Sequence, residues 1–189
     1  MLDDALLDRL IKAYDVRGVV PDDLSPEIAR LVGAAFVRVV GAARDAGGPG
    51  TVVVARDMRP SGPELVAAFA EGATSQGVDV VDIGLASTDQ LYYAAGSLGL
   101  PGAMFTASHN PAQYNGIKLC RAGASPVGQD TGLREIRDLV QQWSADGIPA
   151  AAGPAPPPWG RTPGCAGSAR SSRSGPARAC RRTTGPPAR

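Results

Sequence analysis

Apolar residues recur along the first 150 positions in two alternating rhythms. Leu2, Leu6, Leu7, Leu10 and Ile11 share one stripe at helical spacing, which predicts a short helix over 3–12. Tyr14 to Val20 reads as a strand. Ser25-Pro26-Glu27 has the chemistry of a helix start: a capping hydroxyl, a proline suited to the first turn, and an acid that complements the helix dipole. The stripe Ile28, Leu31, Val32, Ala35 and Phe36 carries that helix, and Gly47-Gly48-Pro49-Gly50 closes the unit. Thr51 to Ala55 is an unbroken apolar run, the mark of a strand covered on both faces. Ser61-Gly62-Pro63-Glu64 shows a capping-box pattern ahead of a helix bearing Leu65 and Phe69. Beyond it the pattern predicts a strand over 78–83, a helix over 88–96, a strand over 102–107, an extended segment over 117–120 and a closing helix over 131–143.

Repeated strand–helix units imply a three-layer α/β/α domain around a mostly parallel sheet. The extended segment at Ile117–Cys120 follows its predecessor through the short Asn110–Gly116 loop. A connection of that length favours antiparallel pairing, so the sheet is expected to be mixed. These elements assign residues 1–145 to one domain.

Residues 146–189 break the pattern. From Ala151 onward there is no Leu, Ile, Val, Phe, Met or Tyr, while Ala, Gly, Pro and Arg supply 29 of 39 residues. Such a segment cannot bury enough apolar surface to offset its ordering entropy, and disorder is expected. Charge divides at the same place. The first 150 residues hold 12 basic and 18 acidic residues, and the remainder holds seven arginines and no acid. The overall +1 is a cancellation of unlike segments. The tail reads as a basic arm, as a linker, or as GC-rich sequence translated out of frame. Its prolines interrupt the arginines and Trp159 is its only aromatic, which argues against nucleic-acid binding. No apolar run approaches a membrane span, and the acidic Met1-Leu2-Asp3-Asp4 start is unlike a secretory signal. Cys120, Cys165 and Cys180 lack metal-ligand spacing and cannot all pair, which fits a reducing, cytoplasmic setting.

In layered α/β domains ligands gather beyond the carboxyl ends of the strands. Three polar clusters fall there: Tyr14-Asp15-Val16-Arg17-Gly18, Arg56-Asp57-Met58-Arg59-Pro60-Ser61-Gly62, and Thr106-Ala107-Ser108-His109-Asn110-Pro111. Ser108 leaves a buried strand for a turn-rich loop, and His109 is the only histidine. A Ser–His hydrolase pair is disfavoured, because neighbours in extended backbone point apart and no G-x-S-x-G elbow is present. A phosphate carrier suits the surroundings better: a phosphoserine needs cationic donors, and Arg17, Arg56, Arg59, His109 and Lys118 qualify if the strand ends converge. By spacing alone, Ser108 and Asn110 are equally well read as turn formers and His109 as a surface residue. Arg56 and Asp57 read either as an ion pair bracing their loop, with Ser61 a plain helix cap, or as the approach by which Arg59 reaches a phosphate. Cys120 reads as a buried strand residue.

The motifs go further than spacing. Thr106-Ala107-Ser108-His109-Asn110-Pro111 followed by Tyr114-Asn115-Gly116-Ile117-Lys118 resembles the active-serine signature of the α-D-phosphohexomutases, the phosphomannomutase/phosphoglucomutase group. The two other clusters stand in the expected order, and Gly84 to Tyr93 is similar to the bacterial phosphomannomutase branch. The resemblance spans roughly residues 9–143. It implies that a phosphorylated Ser108 gives its phosphoryl group to a hexose phosphate, and that the resulting bisphosphate returns the other one. The net transfer is between O6 and O1. It implies Lys118 as general acid/base with His109 assisting, and Tyr14, Arg17 and Arg59 positioning phosphate or substrate. It implies Mg²⁺, with the phosphate on Ser108 as one ligand.

The departures set a second expectation. Relatives of this kind are built from four domains. The family's D-G-D-G-D-R metal loop, its sugar-reading loop and its R-x-S-G-T phosphate clamp are all absent from this sequence. The chain reads as the first, serine-bearing domain, with tight Mg²⁺ binding and independent turnover not expected. A non-catalytic phosphate-binding or interaction module is the alternative.

Overall fold

The computed structural model describes residues 2–151. The chain begins with helix α1 (Asp4–Leu10), whose N-terminus is capped by the Asp3 carboxylate. Strand β1 (Val16–Val19) leads to helix α2 (Pro26–Val39). Ser25 caps α2 as its sequence predicts, its Oγ accepting from the Ile28 N–H at 3.3 Å. Then follow β2 (Thr51–Arg56), α3 (Gly62–Ser75), β3 (Asp79–Leu85) and α4 (Thr88–Leu98). Strand β4 (Gly102–Phe105), β5 (Tyr114–Arg121), the short β6 (Ser125–Pro126) and α5 (Leu133–Asp146) complete the described chain.

The strands form one sheet in the order β1-β5-β4-β2-β3, with β6 beside the far end of β5. Strand β2 runs parallel to both β3 and β4, whereas β5 runs antiparallel to β1, β4 and β6. Five strands therefore point one way and β5 alone is reversed, which is the mixed, mostly parallel arrangement expected of the short return loop. The result is a layered α/β domain.

Helices α1, α2, α3 and α5 cover one face of the sheet. Phe69 is fully buried there between Phe36 and Phe105, with ring centroids 5.8 and 5.4 Å apart, the second pair edge to face. Helices α2 and α3 meet at two glycines. A Cβ on Gly33 would lie 2.2 Å from the Phe69 carbonyl oxygen, and one on Gly72 would lie 1.9 Å from that of Arg30. Among the described residues, helix α4 alone covers the other face, over Val53, Ala55, Met104 and Cys120. Its start carries the reciprocal capping box of Ser87 and Gln90.

The expected capping box at Ser61 is not formed. Ser61 has helical backbone angles and makes no side-chain cap bond. Its Oγ instead accepts a hydrogen bond from Asn115 Nδ2 at 2.9 Å, because β5 brings a fully buried amide to that loop. Asn115-Gly116 is likewise not a break but part of β5. A Cβ on Gly116 would lie 2.7 Å from the Val16 oxygen and 2.9 Å from the Thr106 oxygen. The expected tail over 146–189 lies outside the described residues from 152 onward.

Candidate active site

Strand β4 ends at Phe105, and the chain turns at once. Ser108 takes a left-handed conformation, with φ of +54°. That conformation costs a non-glycine residue on the order of 1 kcal/mol, and the surrounding bonds must sustain it. The Ser108 N–H donates to Thr106 Oγ1 at 3.0 Å, and the Asn110 N–H donates to the Ala107 oxygen at 3.0 Å. Ser108 and His109 are both exposed. Ser108 Oγ lies 3.3 Å from His109 Nδ1. Extended backbone would point these neighbouring side chains apart, as the sequence led us to expect; the left-handed turn brings them together instead.

A cavity of about 580 Å³ opens beside Ser108, walled by Met58, Leu85 and Met104 and by Ser87 and Thr88 at the start of α4. Met58 and Leu85 are among the most exposed apolar side chains, at 81% and 66%. The wall is mixed, with Met58, Leu85 and Met104 alongside the polar Asp57, Ser87, Thr88 and Gln90.

A cationic cluster stands on the α4 face of the sheet. Lys118 of β5 is paired in register with Met104 of β4, and Arg17 of β1 with Gly116 of β5. Asp15 joins both cations. Its Oδ2 accepts from Lys118 Nζ at 3.2 Å and from Arg17 Nη2 in a short contact. Asp15 is buried, whereas Arg17 and Lys118 keep about a quarter of their side chains accessible, at 23% and 27%. The cluster holds two positive charges against one negative. Arg17 Nε is buried and has no hydrogen-bond partner among the described residues. A cationic N–H in that condition favours an anion.

Arg59 is placed differently. Its side chain is buried, and its guanidinium turns inward to the loop that carries Ser108. The ion pair that one reading gave to Arg56 and Asp57 is made by Arg59, with Nε 3.3 Å from Asp57 Oδ2, because the turn at Met58 folds Arg59 back over that carboxylate. Tyr14 is 77% exposed and borders a hollow of about 310 Å³ with Gly128 and Thr131.

Burial shifts two groups on the α4 side, Cys120 and Tyr92. It pushes the Cys120 thiol above its ordinary value, outweighing a hydrogen bond from Gly102. Burial also raises the Tyr92 phenol, with the charges of Cys120 and Asp15 adding to it. Cys120 is accordingly a packed strand residue with little thiolate.

The sequence reading left Asp15, Thr106 and Asn115 without roles. Asp15 was detectable in part: in extended chain, residues two apart share a face, so Asp15 and Arg17 belong together. Its partnership with Lys118, 103 positions away, had no local signal.

The fold is the layered class whose ligands gather at strand ends, and comparison with known proteins makes the assignment particular. Residues 8–146 match the model of phosphoglucomutase/phosphomannomutase, alpha/beta/alpha domain I. The chain belongs to that family. It is 42% identical over 132 residues to a phosphomannomutase of Klebsiella pneumoniae, covering 69% of this chain and 80% of that one. It is 45% identical over 143 residues to the phosphohexose mutases protein of Xanthomonas campestris pv. campestris (strain B100), covering 75% of this chain but 30% of that one. Among solved structures, a phosphoglucomutase/phosphomannomutase family protein from Burkholderia thailandensis superposes with a TM-score of 0.65 at 36% identity, over 81% of this chain and 32% of that one. Against these longer relatives the chain spans about a third of their length.

Proposed function

We propose that Ser108 is the phosphoryl carrier of a phosphohexomutase reaction on a mannose or glucose phosphate. The observation that supports this most directly is the exposed Ser108 hydroxyl, held on a left-handed turn beside a roomy cavity. In the reaction a sugar hydroxyl of a hexose phosphate loses its proton to a base and attacks the phosphorus of phosphoserine. The bond from phosphorus to Ser108 Oγ breaks, and the serine oxygen takes up a proton. The sugar bisphosphate then reverses the step through its other phosphate, restoring phosphoserine and moving the phosphoryl group between O6 and O1. Lys118 is the proposed general acid/base, with Asp15 accepting from its ammonium and fixing its position. His109 assists at the serine oxygen. Arg17, whose side chain keeps 23% of its surface accessible, takes a phosphate oxygen, whereas Tyr14 lines a different hollow, with Gly128 and Thr131.

Mg²⁺, which the family resemblance implies, does not find a site in the described residues. They contain no group of three or more His, Cys, Asp or Glu able to hold a metal ion. Asp15 and Asp57, the nearby carboxylates, are engaged by cations. A phosphate on Ser108 would be one oxygen ligand, short of the near-octahedral set Mg²⁺ requires. That shortage favours a second reading, a phosphate-binding module without turnover of its own.

Incubating the purified chain with glucose 1,6-bisphosphate, and separately with mannose 1,6-bisphosphate, tests the carrier role. Mass spectrometry should find one added phosphoryl group on Ser108, absent in Ser108→Ala. Phosphorylation that persists in Ser108→Ala would overturn the assignment. The same chain mixed with mannose 1-phosphate and bisphosphate should give no sustained conversion, and calorimetry should find no tight Mg²⁺ site. Steady turnover would favour a complete catalyst over the module. No helix among the described residues is long and apolar enough to cross a membrane.

A further inference from the structure

Arginine has five N–H donors in a rigid planar fork and no acceptor. Every one of the five in Arg59 already has a protein acceptor. Nε donates to Asp57 Oδ2 at 3.3 Å. Nη1 donates to the carbonyl oxygens of Pro111 at 2.8 Å and Tyr114 at 2.7 Å. Nη2 donates to those of Ser108 at 3.0 Å and Asn110 at 2.8 Å. The second carboxylate oxygen of Asp57 accepts from the Arg59 backbone N–H at 3.0 Å, so the residue is gripped at both ends.

We infer that Arg59 is a positioning residue, one that sets the turn carrying Ser108 by binding four of its carbonyls, rather than a ligand of phosphate or substrate. The inference rests on Ser108 being the reactive residue. Two features support it. A phosphate could recruit Arg59 only by stripping bonds from a nearly buried guanidinium whose donors are all engaged. The four carbonyls also converge from residues 108, 110, 111 and 114, which no local backbone pattern would gather. Carbonyl dipoles crowded on one point repel one another, and a planar cation with paired donors satisfies them together. With the carbonyl of Ser108 held, the left-handed turn is maintained and the hydroxyl keeps one direction towards the cavity. A lysine cannot substitute, since its single ammonium has three donors and no fork.

The test has two arms on the intact chain. In ¹⁵N-labelled wild type, the Arg59 Nε–H resonance is followed during titration with inorganic phosphate. It should stay in place, shielded by Asp57. A saturable shift of Arg59 Nε with phosphate would overturn the inference, and this arm needs no variant. In the second arm, amide exchange is compared between wild type, Arg59→Lys and Arg59→Gln without ligand. Lysine supplies three of the five donors without the fork, and glutamine loses the charge, so exchange at Ser108, Asn110 and Tyr114 should rise by about tenfold or more in both variants. Amides of α2 and α3 should keep their rates. Loop rates equal to wild type in both variants would overturn the inference, and so would a full rescue by lysine. Neither arm depends on phosphoryl transfer, so failure of the Ser108 assignment, read from its own mass measurement, remains separable.

Discussion

The two faces of the sheet are built to different ends. The face under α1, α2, α3 and α5 is a continuous core, closed by three phenylalanines in tilted and edge-to-face contact and by helices meeting at glycines. The smaller cluster that joins α4 to the sheet holds six buried apolar residues, of which Leu91 and Ala95 come from α4 itself. Next to them stand Asp15 and the side chains of Arg17 and Lys118, and at the strand ends the serine turn opens to its cavity. Edge strand β3 leaves Val81 and Ile83 about two-fifths exposed, at 41% and 38%. Apolar burial is the main favourable term in folding, so the thick face holds the domain together. The thin face gives up burial and gains room for charge. A cation cluster under a second layer of helices would lose the water that keeps its charges tolerable.

If stability resides in the thick face, removing its central ring should give the largest effect. Phe69→Ala is expected to cost about 3–5 kcal/mol in urea denaturation, a large share of the stability of a domain this size. On the thin face, Met104→Ala should cost about 2 kcal/mol, the low end for such a truncation, because neighbours beside an open cavity can relax. Equal costs at the two sites would dissolve the energetic contrast between the faces.

Ser108→Gly sharpens the comparison from the functional side. Glycine adopts φ of +54° without strain, so stability should rise by up to about 1 kcal/mol while phosphorylation is lost. A destabilised glycine variant would mean that the hydroxyl, and not the backbone, is what the turn needs.

The smallest effect is a dependence on pH. Burial holds the folded Cys120 thiol above its ordinary value of 9.0. As pH rises the unfolded thiol ionises first. Its contribution is therefore intact below that ordinary value and is lost as pH climbs from there through the raised folded value. The urea midpoint should fall over that alkaline range, and Cys120→Ala should flatten the fall. An identical slope in the variant would place the alkaline loss elsewhere.

Much of this was legible along the chain. Ser25 and Pro26 announce α2 because a cap acts within one turn, and the apolar run at Thr51 declares β2 because a strand buried on both faces has no polar side. The serine turn was marked by its motif. Ser61 misled for a definable reason: its local pattern suits a cap, but a buried amide from β5 competed for the same oxygen. The backbone at Ser108 also escaped, since a left-handed serine is held by its surroundings and not by preference.

The sequence by itself determined the periodicities, the helix starts, the layered class and the residue types available for phosphate chemistry, because each depends on neighbours within a few positions. Only the tertiary structure decided which cation does what. Arg17, Arg59 and Lys118 read alike as donors in the sequence. Folding gives one a spare N–H, closes a second around four carbonyls 49 to 55 positions away, and sets the third on Asp15 from across the sheet. A donor's role depends on which acceptors reach it first, and those acceptors arrive through long-range strand pairing that no local pattern encodes.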